Sequence, residues 1–218
     1  MNIRIFLATL CAFSCLNDPS YGDVSKKDSF DYQRCITLAE QDITAAHTKA
    51  AQWATSEGSY YAYHCLAIVQ YKLEHFADAA LSLSKMRSLI PESEYSVRHN
   101  ITLQQVRAWQ QAGALSKSLD VLTPYITELR TLDYSDVDLS DALLLRVSLY
   151  NKTNQYLDAL QDADHALTLK TNVSPILLSR ARTYMFMEEK ALAKKDIETV
   201  LALNNTNKEA LVLLQQLK

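Results

Sequence analysis

Apolar residues in the C-terminal half of the chain recur at helical spacing in two segments separated by a short polar turn. Leu143, Val147 and Tyr150 lie three or four positions apart, as they would on one face of an α-helix. After the polar residues 152–155, a second series keeps the same spacing and consists of Tyr156, Ala159, Leu160, Ala163, Ala166 and Leu167. The pattern predicts a helix-turn-helix unit whose two apolar faces need neighbouring units to cover them.

The same pattern returns 34 positions further along the chain. Residues 140–173 and 174–207 share nine identical positions when aligned at this offset, where about two would be expected from average residue usage. The repeated positions include an Arg and an Asp that are 16 residues apart in both copies. The recurrence predicts one ion pair between the two helices of each unit, Arg146–Asp162 and Arg180–Asp196.

These residues resemble the tetratricopeptide repeat family, whose pattern places small residues where the two helices of a unit cross closely. The matching residues are Val147, Tyr150, Ala159 and Ala166 in one unit and Ala181, Tyr184, Ala193 and Val200 in the next. Thr171 and Asn205 stand where the family pattern has its closing Pro. The resemblance implies an all-α fold, an α-α superhelix of stacked helix-turn-helix repeats, and a role in holding a protein or peptide.

More divergent copies extend the array toward the N-terminus. Ala67, Phe76 and Ala79 occupy family positions in one copy, and Val106 and Trp109 occupy them in the next. A longer connection, residues 131–139, precedes the two clear repeats. We therefore expect a signal peptide at 1–22, a leading helical hairpin at 23–59, and an array over 60–218 with repeats at 60–93, 99–132, 140–173 and 174–207 and a capping helix at 208–218.

Composition and charge agree with a helical binding protein, and they argue against nucleic-acid binding and a transmembrane helix. The 218 residues include only 3 Gly and 4 Pro, and this scarcity of turn formers favours helices. The formal net charge of −3 comes with no basic block, so binding to nucleic acid through its phosphates is not expected. No apolar run reaches the roughly 18 to 20 residues of a transmembrane helix.

The N-terminus has the pattern of a secretory leader. A short positive start is followed by an apolar segment over residues 5–16, and Ser20 and Gly22 offer small residues before a cut that leaves Asp23 first. The alternative is a buried N-terminal helix. A lipid anchor at Cys15 is not favoured, because the preceding residues lack the usual Leu. The sequence thus predicts a periplasmic or secreted protein, and its layout is similar to exported repeat proteins of alphaproteobacteria that share the His64-Cys65 pair.

Cysteine usage supports export. Cys11 and Cys15 lie in the expected leader, and its removal leaves Cys35 and Cys65. An even residual count in an oxidising compartment predicts one disulfide between them. The alternative is two unpaired Cys side chains that pack as small hydrophobic groups.

No motif in the chain carries catalytic, cofactor or metal chemistry. The sequence has no nucleophile elbow, no HExxH motif and no phosphate-binding Gly-rich loop, so we expect no cofactor and no enzymatic activity. The five His are not spaced as metal ligands. An acidic cluster could bind Ca²⁺, or it could form a solvated loop with an N-cap for the next helix; it consists of Asp133, Asp136, Asp138 and Asp141.

The resemblance implies that the inner face of each first helix lines a groove for the partner. Carried over by register, the expected partner-binding residues are Tyr61, His64, Tyr71, Lys72, Arg107, Gln110, Asn151, Lys152 and Arg182. His64 and Ile68 replace two clamp positions of the chaperone-binding members, so that activity is not expected. We predict a non-enzymatic adaptor of the bacterial periplasm whose partner is a protein or peptide; a homo-oligomer is also compatible. The alternative is a module for a non-protein ligand such as a cell-wall glycan, stacked on Tyr61 and Tyr71.

Overall fold

The computed structural model describes residues 26–132 and 135–217. The expected leader, Cys15 and Asp133 lie outside the described residues. Within the described ranges the chain forms eleven α-helices and no strand. Their bounds are α1 Lys26–Gln41, α2 Ile43–Ser56, α3 Tyr60–Lys72, α4 Phe76–Leu89, α5 Tyr95–Gln111, α6 Leu115–Thr131, α7 Asp136–Lys152, α8 Tyr156–Thr168, α9 Val173–Phe186, α10 Lys190–Leu203 and α11 Lys208–Gln216.

Consecutive helices pack in pairs, and the pairs stack in chain order. Five hairpins form from α1 to α10, and the second helix of each hairpin also packs against the first helix of the next. The last helix, α11, packs against α9 and α10 and buries Ala210 and Leu213 there. The predicted all-α solenoid of helix-turn-helix units is therefore confirmed.

Small side chains lie where the two helices of a hairpin cross. Val147 and Ala159 are completely buried between α7 and α8, and Ala181 and Ala193 are completely buried between α9 and α10. A larger side chain at any of these four positions would force the helices apart, because protein interiors are close-packed.

The turn inside the last four hairpins uses one residue in the left-handed region. Its φ is 61° at Glu74, 73° at Gly113, 60° at Asn154 and 61° at Glu188. Gly and Asn adopt this conformation readily, whereas a Glu costs about 1 kcal/mol or more there. The turn geometry is thus set by the stacking of the two helices, which outweighs the local preference of the two Glu residues.

The connection before α7 is shorter than the sequence analysis expected. The Ser135 hydroxyl accepts a hydrogen bond from the Val137 backbone N–H, and α7 begins at Asp136. Asp136 and Asp138 therefore belong to the first turn of a helix, where negative side chains are favoured by the helix dipole. The part of the acidic cluster that the structure describes is the start of α7, not a loop.

Both predicted ion pairs are present. The Arg146 Nε and Nη2 atoms donate to the two Asp162 carboxylate oxygens at 2.7 and 2.8 Å. Arg180 makes the same bidentate contact with Asp196, at 2.8 Å for both bonds, and its Nη1 donates to Asp164 at 2.6 Å. Each pair joins the first helix of a hairpin to the second, in a partly or wholly buried position.

A disulfide joins Cys35 of α1 to Cys65 of α3, as predicted, with a distance of 6.4 Å between the two Cα atoms. Both side chains are buried, Cys65 completely. The bond ties the leading hairpin to the first helix of the following hairpin.

Candidate functional site

The first helices of the hairpins form one face of the stack, which we call the inner face. Helix α1 packs against α3, α5 against α7, α7 against α9, and α9 against α11. No packing of similar extent joins the second helices within the described residues. Between α1 and α3, and from α5 through α11, the first helices therefore approach one another more closely than the second helices do, which places them on the inner side of a curved stack.

Two of the nine residues expected to bind a partner lie in the core instead. Tyr61 is 8% exposed and His64 is 6% exposed. The sequence analysis expected both to line the groove, whereas the structure buries them beneath α1. Tyr32 of α1 covers them: its hydroxyl lies 3.0 Å from His64 Nδ1, and its ring stacks on the His64 ring with 5.6 Å between centroids. The Tyr32 and Tyr61 rings meet edge to face at 5.8 Å.

The burial of His64 makes the fold sensitive to acid. Burial lowers the pKa of His64 from 6.5 to about 4, against a smaller opposing influence of the nearby Gln104 side chain. Between these pH values the unfolded chain binds more protons than the folded chain, so stability is lost as the pH falls from about 6.5 toward 4. The shift corresponds to roughly 3 kcal/mol when it is fully developed.

We therefore expect His64→Gln to reduce the acid sensitivity of folding. Urea unfolding at pH 7.5 and at pH 4.5 should give a clearly smaller loss of unfolding free energy for this variant than for the unmodified protein. The control is His75→Gln, at an exposed position in the turn before α4. This variant should lose as much unfolding free energy between the two pH values as the unmodified protein does. Equal losses in His64→Gln and the unmodified protein would contradict the assignment.

Two inner-face cations are paired within the chain. Lys72 at the end of α3 forms an ion pair with Glu40 of α1, and Arg182 of α9 forms one with Glu209 of α11. Both pairs are at the surface, where such contacts contribute about 0 to 1 kcal/mol. A ligand carboxylate could therefore compete with Glu40 or Glu209 at little cost.

Arg107 of α5 and Lys152 of α7 are exposed and form no ion pair with any residue that the structure describes. Arg107 lies near Tyr71 of α3: burial raises the pKa of the Tyr71 hydroxyl, and the Arg107 charge opposes that rise. The Tyr71 ring meets Phe76 edge to face, with 4.9 Å between centroids. Tyr71 is thus half-buried, with its ring supported on one side and a cation nearby.

The two amide residues of the expected groove connect neighbouring first helices. Gln110 Nε2 donates to the Ser148 hydroxyl at 3.4 Å, and Asn151 Nδ2 donates to the Thr183 hydroxyl at 3.0 Å. The Asn151 Oδ1 atom is buried without a hydrogen-bond partner. Both side chains therefore hold α5, α7 and α9 together as well as lining the inner face.

Sequence reasoning missed a polar cluster between α5, α6 and α7. His99 is 5% exposed; its Nδ1 lies 2.9 Å from the Tyr125 hydroxyl, and its Nε2 lies 3.8 Å from an Asp138 oxygen. Burial raises the pKa of Asp141, and the opposing influences are the His99 and Arg107 charges and, to a smaller extent, the Asn172 side chain. No motif marks this cluster, because its members come from three helices and the connection after α8.

The described part of the chain offers no evident metal site. No group of three or more His, Cys, Asp or Glu side chains there could hold a metal ion. The described helices are also all too short or too polar to cross a membrane.

Similar solved structures identify the type of helical repeat in this chain. No family model and no curated protein sequence matches the chain. Among solved structures, MamA from Desulfovibrio magneticus RS-1 superposes with a TM-score of 0.63 at 16% identity, over 86% of this chain and 98% of that chain. A thermophilic TPR protein from Thermus thermophilus gives a TM-score of 0.52 at 18% identity, over 87% and 98%. The stacked two-helix units and these matches together establish that the chain has the tetratricopeptide repeat fold.

Proposed function

We propose that the protein is a non-enzymatic adaptor that binds a protein or peptide on its inner face. The observation that carries the proposal is the presence, on that face, of large hydrogen-bonding side chains that are not fully buried. Tyr71, Arg107 and Lys152 all reach the surface there, and no ion pair within the described chain neutralises Arg107 or Lys152. Tyr and Arg are enriched among the residues that dominate binding energy at interfaces.

A stacked array of helices suits this role because it exposes a long surface made from equivalent positions of successive repeats. The stack also holds the part of that surface from α5 to α9 rigidly, since these first helices pack on one another and are joined by Gln110–Ser148 and Asn151–Thr183. A rigid surface loses little conformational freedom when a partner binds, which favours affinity.

The alternative ligand, a cell-wall glycan, has less support. The residues expected to stack on the sugar were Tyr61 and Tyr71, and Tyr61 is buried beneath Tyr32. Treating the envelope extract before capture, with a protease that is then inactivated or with glycan hydrolase, distinguishes the two ligands, because only the digestion that destroys the ligand prevents its capture.

We expect the double variant Tyr71→Ala/Arg107→Ala to bind the native partner at least about tenfold more weakly, equivalent to about 1.4 kcal/mol or more. Immobilised protein is exposed to an envelope extract of the native host, and captured proteins are quantified by mass spectrometry. Helical content should change little, whereas the melting temperature should fall modestly, because Arg107 is exposed but the half-buried Tyr71 ring packs against the core cluster that includes Ala79 and Leu83.

The matched control is Lys194→Ala/Lys195→Ala on α10, a second helix whose two Lys side chains are exposed. This control should capture the partner as the unmodified protein does. If Tyr71→Ala/Arg107→Ala captured the partner normally and Lys194→Ala/Lys195→Ala did not, the binding site would lie on the outer face instead.

We also propose that the protein is exported to the periplasm and begins near Asp23. The leader pattern and the Cys35–Cys65 disulfide support export, because structural disulfides persist mainly in oxidising compartments. N-terminal sequencing of the folded protein from the native host should find Asp23 or a close neighbour first. An intact Met1 would contradict export.

A further inference from the structure

An open groove lies between α1 and α2 at the end of the stack, where no earlier helix among the described residues covers it. Its volume is about 760 Å³, which is within the usual range of ligand-binding clefts. We call it the end groove, and its lining includes Cys35, Leu38, Lys49, Ala50 and Trp53. The end groove therefore gives another molecule access to the surface of the first hairpin that faces away from the rest of the stack.

The two cysteines of the disulfide differ in their access to this groove. Cys35 is 8% exposed and lines the end groove, whereas Cys65 of α3 is completely buried. The lining of the groove comes from α1, α2 and Glu57, the residue that follows α2, and α3 contributes none of it. Access decides which sulfur is attacked in thiol–disulfide exchange. A thiolate that enters the end groove therefore meets Cys35 and not Cys65.

Helix α1 covers part of α3 and is attached to it by few contacts besides the disulfide. In the part of α1 whose burial the structure describes, three side chains are buried, namely Tyr32, Cys35 and Ala39. Tyr32 shields Tyr61 and His64 through its ring and through its hydroxyl, which lies 3.0 Å from His64 Nδ1. The ion pair between Glu40 and Lys72 is at the surface and contributes little. The disulfide is therefore a large part of what keeps Tyr61 and His64 covered.

We propose that Cys35 is a thiol–disulfide exchange site and that α1 is a cover which reduction of the disulfide releases. The co-reactant is a protein dithiol that places its reactive cysteine in the end groove. Its thiolate bonds to the Cys35 sulfur, the Cys35–Cys65 bond breaks, and the electron pair stays on the Cys65 sulfur, which takes up a proton. The second thiol of the partner then displaces Cys35 in the same way. The partner leaves with a disulfide, and this chain keeps two thiols.

Reduction removes the covalent link between α1 and α3 and leaves only reversible contacts. Terminal units of a stacked array open before its centre, so α1 opens while the stack from α3 onward stays folded. Tyr61 and His64 then reach the inner face, where the register of the repeat places them. The inner face therefore has a covered form in the oxidised protein and a longer form in the reduced protein. This inference does not depend on which ligand the inner face binds.

Trapping of a mixed disulfide tests the exchange site. The probe is a thioredoxin whose second active-site cysteine is replaced by serine, because it cannot complete the second step and stays attached. Incubation with the oxidised protein should give a mixed disulfide, and peptide mapping without reductant should place it on Cys35. Failure to form this product, or its formation on Cys65, would overturn the assignment of Cys35.

A change of charge at the rim tests whether the probe enters through the end groove. Lys49→Glu should slow trapping about threefold or more, because the new carboxylate repels the incoming thiolate. The matched control Lys85→Glu makes the same change at an exposed position of α4 and should be trapped at the rate of the unmodified protein. Equal rates for Lys49→Glu and the unmodified protein would overturn entry through the end groove.

Carbethoxylation of histidines by diethylpyrocarbonate, measured by mass spectrometry, tests the release of α1. The variant Cys35→Ala/Cys65→Ala represents the reduced protein, because it lacks both thiols and needs no reductant. His64 should react at least about tenfold faster in this variant than in the oxidised protein, since its labelling follows the local opening of α1. The exposed His75 should react equally in both proteins, and the buried His99 should stay protected in both. Equal protection of His64 in the two proteins would overturn the release of α1, and so would a variant in which His99 becomes reactive together with His64, because the whole stack would then have opened.

Discussion

Asp162→Ala should lower the unfolding free energy by about 3 to 5 kcal/mol, as expected when one partner of a buried ion pair is removed. The Asp162 and Arg146 side chains are only 6% and 11% exposed, and they share two hydrogen bonds of 2.7 and 2.8 Å. Removing the carboxylate leaves the guanidinium buried with its two donors unsatisfied. Urea unfolding at neutral pH measures the loss.

Two further variants show whether the stability lost in Asp162→Ala comes from an uncompensated buried charge or from lost packing. Arg146→Met/Asp162→Leu removes both charges and should recover most of the lost stability, because apolar side chains of similar volume can replace a buried pair. Asp196→Ala removes the equivalent carboxylate in the next repeat and should cost less. Arg180 there is 20% exposed and keeps a 2.6 Å contact with Asp164. A loss below about 1 kcal/mol for Asp162→Ala would contradict this account.

Breaking the Cys35–Cys65 disulfide should cost about 3 to 4 kcal/mol. The cysteines are 30 positions apart, and in the chain-entropy model closing a loop of that size restricts the unfolded chain by about this amount. The effect should be local at first, because terminal units of a stacked array open before the centre. Reduction should therefore speed hydrogen exchange in α1 and α2 more than in α7 and α8.

Urea unfolding of the protein with and without dithiothreitol gives the magnitude. The control is Cys35→Ala/Cys65→Ala, which should match the reduced protein and should not respond to the reductant. Ala is preferred to Ser because Cys65 is completely buried and a hydroxyl there would lack a partner. An unfolding midpoint that does not move on reduction would contradict the stabilising role of the bond.

The parts of the structure that repeat were predictable from the sequence. An offset of 34 brings Arg146 and Arg180 into register, and the constant spacing of 16 to Asp162 and Asp196 places each pair across one hairpin. Such spacing is informative because every unit must fold in the same way to stack on the next one.

The parts that depend on one local contact were not predictable. Tyr61 and His64 occupy positions that a regular repeat exposes on the inner face, but Tyr32 covers them here. Tyr32 comes from the leading hairpin, where the repeat pattern is weak, so its register relative to α3 could not be assigned. The His99 cluster was missed for a related reason, since Tyr125 and Asp138 approach His99 only through the stacking of three helices.

Site-specific photo-crosslinking tests the central claim most directly. A benzoylphenylalanine is placed at Gln111, an exposed position at the end of α5 on the inner face, and in a second protein at Lys195 on α10. Irradiation in the native envelope should give a discrete crosslinked product from position 111, whose added mass yields peptides of a second protein in mass spectrometry, and none from position 195. A product that forms at position 195 and not at position 111, or one whose added mass contains no peptide and is removed by glycan hydrolase, would contradict a protein partner on the inner face.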